Sequence, residues 1–502
     1  MSASREKKKR QSDAGSNGAA SVNASKKGLG KTGKTVLYAI LAVVVVAAIV
    51  FFGMVSTGFF VTHTVAATVG GHDLSPAMVN YFYNTAYQNM ADSMGDYLSV
   101  IIDTEKPLDD QPYMTDEFDS WGDYLTDTAL KSAHEVYAVY DEAIANGYTL
   151  SEDEQASIDS QIEMLDLYGS VYGYSSGTAY LAGLYGTGST VDSYREYLTI
   201  NMIASSYAQQ IYDGFTYTAE DLDAYYQENT QDFDAVTFRV YSINVPTAEE
   251  GEEVDTEAAL AECETKAKEM AEASQGDEQA YLDYTVEFAD EDSKETYEDD
   301  TTTLRKEYTL SNCLELYRDW LADSSRQPGD TTYIENGETG YYVLYFVGQV
   351  DRTYQLPNVR DILIPVSDTT DEEAMATAKE KAQTLLDDFL AGDDVSEDAF
   401  AALTEEDTSM TGTLYENLVP GTITDEVDSW CQEEGRTAGD TNIFEGTDGY
   451  HVVYFSGYGD VYRDYLVENT MRSNDYSEWQ TGVVGEASYT TYGFGMRFTS
   501  KR

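Results

Sequence analysis

The 502-residue chain is poor in cysteine, in histidine and in basic residues. Its three cysteines, Cys263, Cys313 and Cys431, are an odd number at wide spacing, which excludes a disulfide framework and a zinc site. We expect them to be small buried or neutral side chains. Only 30 Lys and Arg residues stand against 91 Asp and Glu, a formal net charge of -61. A chain this acidic repels phosphates, so a nucleic-acid partner is excluded.

The acidic residues occur in runs such as EEGEEVD, DEDSKETYEDD and SDTTDEEA. None has the Asp-x-Asp-x-Asp-Gly spacing of a calcium-binding loop. We therefore interpret the runs as solvated faces and expect no metal site and no cofactor. Loose binding of cations by these faces stays open.

The basic residues are concentrated at the N-terminus. Residues 1–34 hold nine of them against two acids, and residues 35–62 carry no charge. At about 1.5 Å per residue the uncharged segment can cross a ~30 Å hydrocarbon core, which predicts a retained transmembrane helix. Lysines flank the segment on its N-terminal side alone. This asymmetry predicts that residues 1–34 form a cytoplasmic tail and that residues 63–502 lie outside the cell membrane. A cleaved signal peptide is the alternative, although such segments are shorter and end at small residues.

Residues 63–235 are predicted to form a mostly helical domain. Ser75 is expected to cap a helix that begins at Pro76, a favoured first position. A helical pattern covers about 116–146, and a Ser-x-x-Glu capping box at Ser151 opens a further helix. No acid–base or metal constellation is evident in this domain.

Residues after 235 contain an internal repeat. The aromatic strand GYYVLYF at 340–346 recurs as GYHVVYF at 449–455, and only the second copy carries a histidine, one of four in the chain. Each copy has the order strand, helices, turn, strand. The other matched positions are Trp320 with Trp430, Arg326 with Arg436, Gly-Asp-Thr at 329–331 with 439–441, and the opening strands SINVP at 242–246 with DILIP at 361–365.

The second copy resembles the parvulin family of peptidyl-prolyl isomerases over about 355–458. The helix and following segment LLDDFLAGDDVSEDAFAAL, residues 385–403, match one family element, and TEED ending at Asp407 matches the next. MTGTL at 410–414 matches the family's Gly-x-Leu turn, and GYHVV at 449–453 matches its closing strand. The resemblance lies in the order and spacing of these elements.

The whole chain is similar to extracytoplasmic foldases of the SurA and PrsA type. The resemblance implies an α+β chain with one N-terminal transmembrane helix, a helical SurA-N-like chaperone domain and two tandem parvulin-like domains of β-α-α-α-β-α-β-β type, the first degenerate. The implied division is a basic cytoplasmic tail at 1–34, the transmembrane helix at 35–62, the chaperone domain at 63–235, the degenerate parvulin-like domain at 236–352, the isomerase domain at 353–460, and a C-terminal helical segment and tail at 461–502.

The resemblance also implies the site residues. The polar centre would be Asp361, Asp407 and His451, with Asp361 standing where the family has its first-strand histidine. In the first copy the corresponding histidine positions fall on Ser242 and Tyr342. The apolar slot for the proline ring would be formed by Leu414, Ile423 and Trp430.

Each candidate also has a plainer interpretation. His451 could be a satisfied core histidine, Asp361 a solvated or backbone-bonded acid, and Asp407 a surface charge. Trp430 recurs as Trp320 at the same repeat position, which is typical of core packing.

Three functions are therefore open. The first is a membrane-anchored foldase, an isomerase that acts on X-Pro bonds of unfolded or folding secreted proteins. The second is a holdase chaperone that uses parvulin-like domains for client binding, with its tyrosine-rich helical domain offering aromatic contact area. The third is an acidic surface or adhesion protein, which explains the charge but not the order of the parvulin-like elements.

Overall fold

The computed structural model describes residues 31–247, 255–404, 407 and 409–500. The acidic run at 249–255 therefore lies almost wholly outside the described residues. The chain forms two compact units: unit 1 takes in the chain up to Gln210 and from Gln480 onward, and unit 2 spans Ile211–Trp479. These units do not test the predicted domain boundaries, which stay a prediction.

The fold mixes helices and small sheets, as the α+β prediction requires. The helices are α1 (Lys31–Ser56), α2 (Phe59–His63), α3 (Pro76–Met94), α4 (Leu98–Ile101), α5 (Trp121–Ala145), α6 (Glu152–Val171), α7 (Gly177–Tyr185), α8 (Val191–Gly214), α9 (Ala219–Glu228), α10 (Thr230–Phe233), α11 (Thr256–Ala273), α12 (Glu278–Phe288), α13 (Lys294–Tyr297), α14 (Glu315–Ala322), α15 (Glu372–Ala391), α16 (Glu397–Ala401), α17 (Asp425–Cys431), α18 (Tyr462–Val484) and α19 (Gly493–Met496). The strands are β1 (Ala67–Val69), β2 (His72–Leu74), β3 (Ala235–Asn244), β4 (Leu304–Thr309), β5 (Thr331–Glu335), β6 (Gly340–Gln349), β7 (Gln355–Pro365), β8 (Thr411–Tyr415), β9 (Thr441–Glu445), β10 (Gly449–Val461) and β11 (Tyr489–Thr491).

Helix α1 holds the one segment of the described chain that is long and apolar enough to cross a membrane. It runs over Ala39–Ser56, with a mean hydropathy of 2.9 and no buried part. The predicted span of 35–62 extends beyond α1, because α1 stops at Ser56 and α2 begins at Phe59. Gly58 between them has a φ of 69°, a left-handed conformation that interrupts the helix. The bounds of the span stay a prediction, and so does the side of a membrane that each end would face.

Unit 1 packs its helices and a small sheet around one aromatic core. Ser75 caps α3 by accepting a hydrogen bond from the backbone N–H of Met78, and Pro76 is the first helical residue, as predicted. The capping box at Ser151 is also present. Helix α5 begins at Trp121 rather than near 116, because the Ser120 side chain caps it. The three-stranded antiparallel sheet has the order β11-β1-β2, so the chain's C-terminal segment completes it.

Unit 2 contains the two copies of the repeat, and each forms a four-stranded antiparallel sheet. The orders are β4-β3-β6-β5 and β8-β7-β10-β9. Across both sheets the strands lie in the same order: the second strand of the copy is at one edge, and the first, the fourth and the third follow it. The repeat recognised in the sequence is therefore present in the topology.

Each sheet is covered by helices on both faces. In the second copy, α15 and α16 pack on one face through Ala382, Leu386 and Phe400. Helix α17 packs on the other face through Val427 and Trp430. In the first copy, α11 and α12 cover one face and α14 the other. The face that carries α17 is the one that carries the candidate site.

Candidate functional site

Asp361 and His451 meet in the centre of the second sheet. Asp361 lies on β7 and His451 on β10, which pair as antiparallel neighbours. The Nδ1 atom of His451 is 2.9 Å from Oδ2 of Asp361. Both residues are buried, with exposed fractions of 6% for His451 and 4% for Asp361. The structure thus brings together two of the three residues predicted for the polar centre.

A second carboxylate, on Asp448, holds the other nitrogen of the His451 ring. Asp448 lies in the turn before β10, and its Oδ1 is 3.0 Å from Nε2 of His451. Gly446 makes room for this approach, since a Cβ there would lie 2.6 Å from Nε2. Carboxylates accept hydrogen bonds only, so two such partners require that both ring nitrogens carry a proton. The geometry therefore favours the imidazolium form.

The electrostatics agree with this protonation state. Burial lowers the pKa of His451, but the hydrogen bonds and charges of Asp361 and then Asp448 outweigh it, and the net pKa is raised above its usual value. The second oxygen of the inner carboxylate, Oδ1 of Asp361, is buried and has no hydrogen-bond partner among the described residues. An unused buried acceptor is costly, and such an oxygen is a point where a bound group could donate a hydrogen bond.

Aromatic side chains line the same face of the sheet. Phe444 on β9 lies directly opposite His451. Tyr415 on β8 is close enough for Asp361 to raise the pKa of its hydroxyl, although burial is the larger cause of that rise. Sequence reasoning missed Asp448, Phe444 and Tyr415 as neighbours of the pair. The cross-strand pairing of the GYHVV strand was the signal that could have indicated Phe444.

Asp407, the third predicted member of the polar centre, has other partners. Its Oδ2 accepts a hydrogen bond from Nζ of Lys381 at 2.8 Å, and its Oδ1 accepts one from the Ser409 hydroxyl at 2.6 Å. The Lys381 hydrogen bond is the largest of the causes that hold the pKa of Asp407 well below its usual range. Lys381 lies on α15, and α15 packs on the sheet face opposite to the His451 face. The structure thus pairs Asp407 with α15 rather than with His451.

The three predicted slot residues are in different surroundings. Leu414 on β8 is 40% exposed, and it lies opposite Arg360, so its side chain is on the sheet face away from His451 and the prediction that it lines a slot there is wrong. Trp430 is buried among Val427, Val453 and Phe455, and Ile423 packs at the edge of the same cluster. The guanidinium of Arg436 lies 3.9 Å above the Trp430 ring. Trp430 therefore has the core-packing role that its repeat partner suggested, and its role in a proline slot stays a prediction.

The first copy shows what the same fold looks like without the pair. The cross-strand register places Ser242 opposite Tyr342, whereas Asp361 lies opposite Val453, the counterpart of Leu344. Val240 is the residue opposite Leu344. The sequence match of Ser242 with Asp361 was therefore wrong by two residues. The error arose because apolar residues alternate along both opening strands. Moving the alignment by two residues therefore keeps every side chain on the same face of the sheet.

The Arg–Glu pairs of the two copies confirm the corrected register. Nε of Arg239, the residue before Val240, lies 2.6 Å from Oε1 of Glu278. Nε of Arg360, the residue before Asp361, lies 2.7 Å from Oε1 of Glu397. The first copy therefore has valine and tyrosine where the second has aspartate and histidine.

The cysteines and acidic clusters supply no alternative centre. Cys263, Cys313 and Cys431 are buried free thiols, and burial raises the pKa of Cys431 to about 12. A thiol with so high a pKa is not a nucleophile at neutral pH. Among the residues that the structure describes, no group of three or more His, Cys, Asp or Glu side chains could hold a metal ion.

Comparison with known proteins finds structural similarity but no family. No protein-family model matches the chain, and no curated protein matches it. A crystal structure of the peptidylprolyl isomerase PrsA from Bacillus anthracis is similar to part of the chain, with 13% sequence identity and a TM-score of 0.19. The match covers 44% of this chain and 80% of that chain. A likeness this weak does not assign a family, so membership of the parvulin-type foldases stays a prediction.

Proposed function

We propose that the chain is a membrane-anchored foldase whose second repeat is a peptidyl-prolyl cis-trans isomerase of parvulin type. The observation that carries the proposal is the buried Asp361–His451 pair. It lies at two of the three positions where the resemblance expects the polar centre, and the first copy builds the same sheet without it. Its substrates would be X-Pro bonds of secreted proteins that are still folding.

Prolyl isomerisation requires few functional groups in a protein site. Rotation about an X-Pro bond crosses a barrier of about 20 kcal/mol and takes tens of seconds or longer uncatalysed. In the twisted transition state the amide loses its resonance and the lone pair localises on the proline nitrogen. A site that removes the bond from water and places a positive group beside it stabilises that state more than the planar ground states. No nucleophile, metal or cofactor is required.

Within this proposal the two residues have distinct roles. His451, an imidazolium held by the buried Asp361, would supply a charged N–H to the rotating amide when the exposed Asp448 side chain releases Nε2. Asp361 is a positioning residue, because it fixes the ring through Nδ1 and keeps it protonated. Leu414 has no part in this centre, because it lies opposite Arg360 and its side chain is on the other face of the sheet. Asp407, which is paired with Lys381, would act only through the position of α15.

The test is prolyl isomerisation of an X-Pro peptide by the full chain in detergent. His451→Ala should abolish the acceleration. Asp361→Asn keeps the size of the side chain but removes its charge, so it should reduce the rate and move the pH at which activity is lost to lower values. Tyr342→Ala, at the position that matches His451 in the first copy, is the control and should leave the rate unchanged. A wild-type chain that does not accelerate isomerisation would refute the enzymatic function.

A specific surface in unit 1 favours the holdase alternative. One face of α6, together with the residue that follows the helix, is exposed and apolar, with Val171 exposed by 70% and Tyr172 by 67%. Its members are spaced i, i+3, i+4, i+7 and i+8 along the helix: Met164, Leu167, Tyr168, Val171 and Tyr172. Such a stripe on one helix face offers contact area to unfolded apolar segments. The acidic charge of the chain would favour clients with basic residues.

The holdase alternative can be tested separately from the isomerase. The double variant Leu167→Asp with Val171→Asp should weaken suppression of client aggregation. Ser157→Asp with Gln161→Asp adds the same charge at exposed positions of the same helix and should leave suppression intact. If both double variants suppress aggregation as well as the wild type does, α6 is not a client surface.

A further inference from the structure

Three exposed aromatic side chains lie next to the C-terminal end of the candidate membrane span. They are Phe59 on α2, and Tyr492 and Phe494 at the start of α19, with exposed fractions of 39%, 44% and 52%. We call them the membrane-proximal aromatic surface. Phe59 is more than 400 residues from the other two in the chain, and the fold joins the two segments where Phe60, the neighbour of Phe59, contacts Phe494.

A chain of ring contacts joins this surface to the span. The Phe60 ring lies 5.4 Å from that of Phe51, which is part of the span. On its other side, Phe60 stacks on Phe498 at 4.9 Å and meets Phe494 edge to face at 5.7 Å. The C-terminal segment is therefore packed at the level where the apolar helix ends.

Backbone contacts hold the C-terminal segment in this place. The N–H of Tyr492 donates a hydrogen bond to the carbonyl of Ala66 at 2.8 Å, next to the pairing of β11 with β1. Gly495 is buried, and a Cβ there would lie 2.0 Å from the carbonyl oxygen of Val65. The aromatic residues of α19 are thus presented from a fixed backbone rather than from a free tail.

The corner between α1 and α2 is fixed in a similar way. A Cβ at Gly58 would lie 2.4 Å from the Cα of Gly188, so the two glycines allow a direct backbone contact. The Val61 side chain that follows is buried. The part of unit 1 around Gly188 is therefore seated against the end of the span, without a free linker between them.

From these contacts we propose that the membrane-proximal aromatic surface lies in the headgroup region of the bilayer that α1 crosses. Aromatic side chains in the headgroup region are typical of membrane proteins, because the apolar ring is removed from water there. Exposed Arg497, in the same segment, adds a positive charge that suits anionic headgroups in an otherwise acidic chain. The proposal rests on α1 as a membrane span and is independent of the isomerase function.

The experiment places an environment-sensitive fluorophore at the surface. The full-length Phe494→Cys variant is labelled and reconstituted in vesicles of phosphatidylcholine and phosphatidylglycerol, with and without lipids that carry a quencher near the headgroup. The three native cysteines are buried, so the label goes to the new thiol. Tyr172→Cys, at the exposed tyrosine that follows α6 in the same unit, is the matched control.

We expect a blue-shifted emission and a strong loss of intensity with quencher lipids at position 494, and neither effect at position 172. Equal exposure of both labels to water would overturn the proposal. Equal quenching at both would show a general approach of the unit to lipid and would also overturn it. The label at 494 could also be shielded from water only when a vesicle holds more than one copy of the chain. That result would overturn the proposal and assign the surface to contact with a second copy.

Discussion

Replacing Asp361 with valine should loosen the second repeat without disturbing the first. Asp361→Val copies the residue that the first copy has at this position, Val240, so the fold tolerates its shape. The change leaves the buried His451 with one partner, Asp448, whose side chain is 56% exposed. Breaking a buried pair by removing one partner costs about 3–5 kcal/mol. Because Asp448 still neutralises part of the charge, we expect about 3 kcal/mol.

Hydrogen exchange resolved by peptide measures this cost locally. About 3 kcal/mol corresponds to roughly a hundredfold faster exchange of protected amides, which should appear in β10 and β7. Peptides from β6 and β3 of the first repeat serve as the internal reference in the same sample. The double variant Asp361→Val with His451→Leu should exchange more slowly than Asp361→Val alone, because an apolar replacement of a whole buried pair is often nearly neutral. Additive losses in the double variant would refute the coupling.

The same pair predicts how stability depends on pH. The pKa of His451 is raised in the folded state above its ordinary value of 6.5. Its contribution is therefore fully present below pH 6.5 and is lost as pH rises through the folded pKa. In the wild type, the protection of β10 amides from hydrogen exchange, relative to β6 amides, should fall as pH rises above 6.5. The fall should be smaller in Asp361→Asn. A wild-type ratio that does not change with pH would contradict the imidazolium assignment.

Three further changes should act through packing and capping. Arg436→Gln removes a guanidinium stacked 3.9 Å above Trp430 and should cost about 1–2 kcal/mol in urea unfolding of the second repeat. Gly449→Ala should cost more than about 2 kcal/mol in the same measurement, because φ is 147° there and the new Cβ would lie 2.1 Å from the Ile364 carbonyl oxygen. Ser151→Ala removes the N-cap of α6 and should cost about 1 kcal/mol, seen as faster hydrogen exchange in the first turn of that helix.

The repeat supplies matched controls for the first two changes. Arg326 lies 4.1 Å above Trp320, so Arg326→Gln should cause a similar loss in the first repeat alone. A Cβ at Gly340 would lie 2.0 Å from the carbonyl oxygen of Ile243, so Gly340→Ala should act there too. If any of these variants loosened both repeats equally, the repeats would unfold as one unit and the separate cores would not explain their stability.

Features set by neighbours in the chain were predictable from the sequence. The caps at Ser75 and Ser151 depend on a side chain and a backbone three residues apart, so their spacing is visible directly. The two copies of the aromatic strand were recognised because a strand buried on both faces is a nearly continuous apolar run. The burial pattern of β10 agrees, since its first seven residues are all buried.

Features set by distant partners were not predictable in the same way. Helix α1 ends at Ser56 rather than near residue 62, next to the point where Gly58 meets Gly188, which is 130 positions away. Strand β11 forms only because it finds β1, more than 400 residues earlier. Asp407 was assigned by its place in a motif, whereas its partner Lys381 is on a helix whose rotation the motif does not specify.

Comparing the two copies separates what the fold needs from what it does not. Both copies have an arginine above a tryptophan, a glycine at the start of the last strand, and an Arg–Glu pair on the first strand. These shared features are sufficient for a four-stranded sheet with helices on both faces, because the first copy forms one with Val240 and Tyr342 at the central positions. The Asp361–His451 pair is therefore unnecessary for the fold and carries the cost of two buried charges. A costly pair that the architecture does not require is what a functional centre predicts, and this is why the second repeat, rather than the first, is the place to measure catalysis.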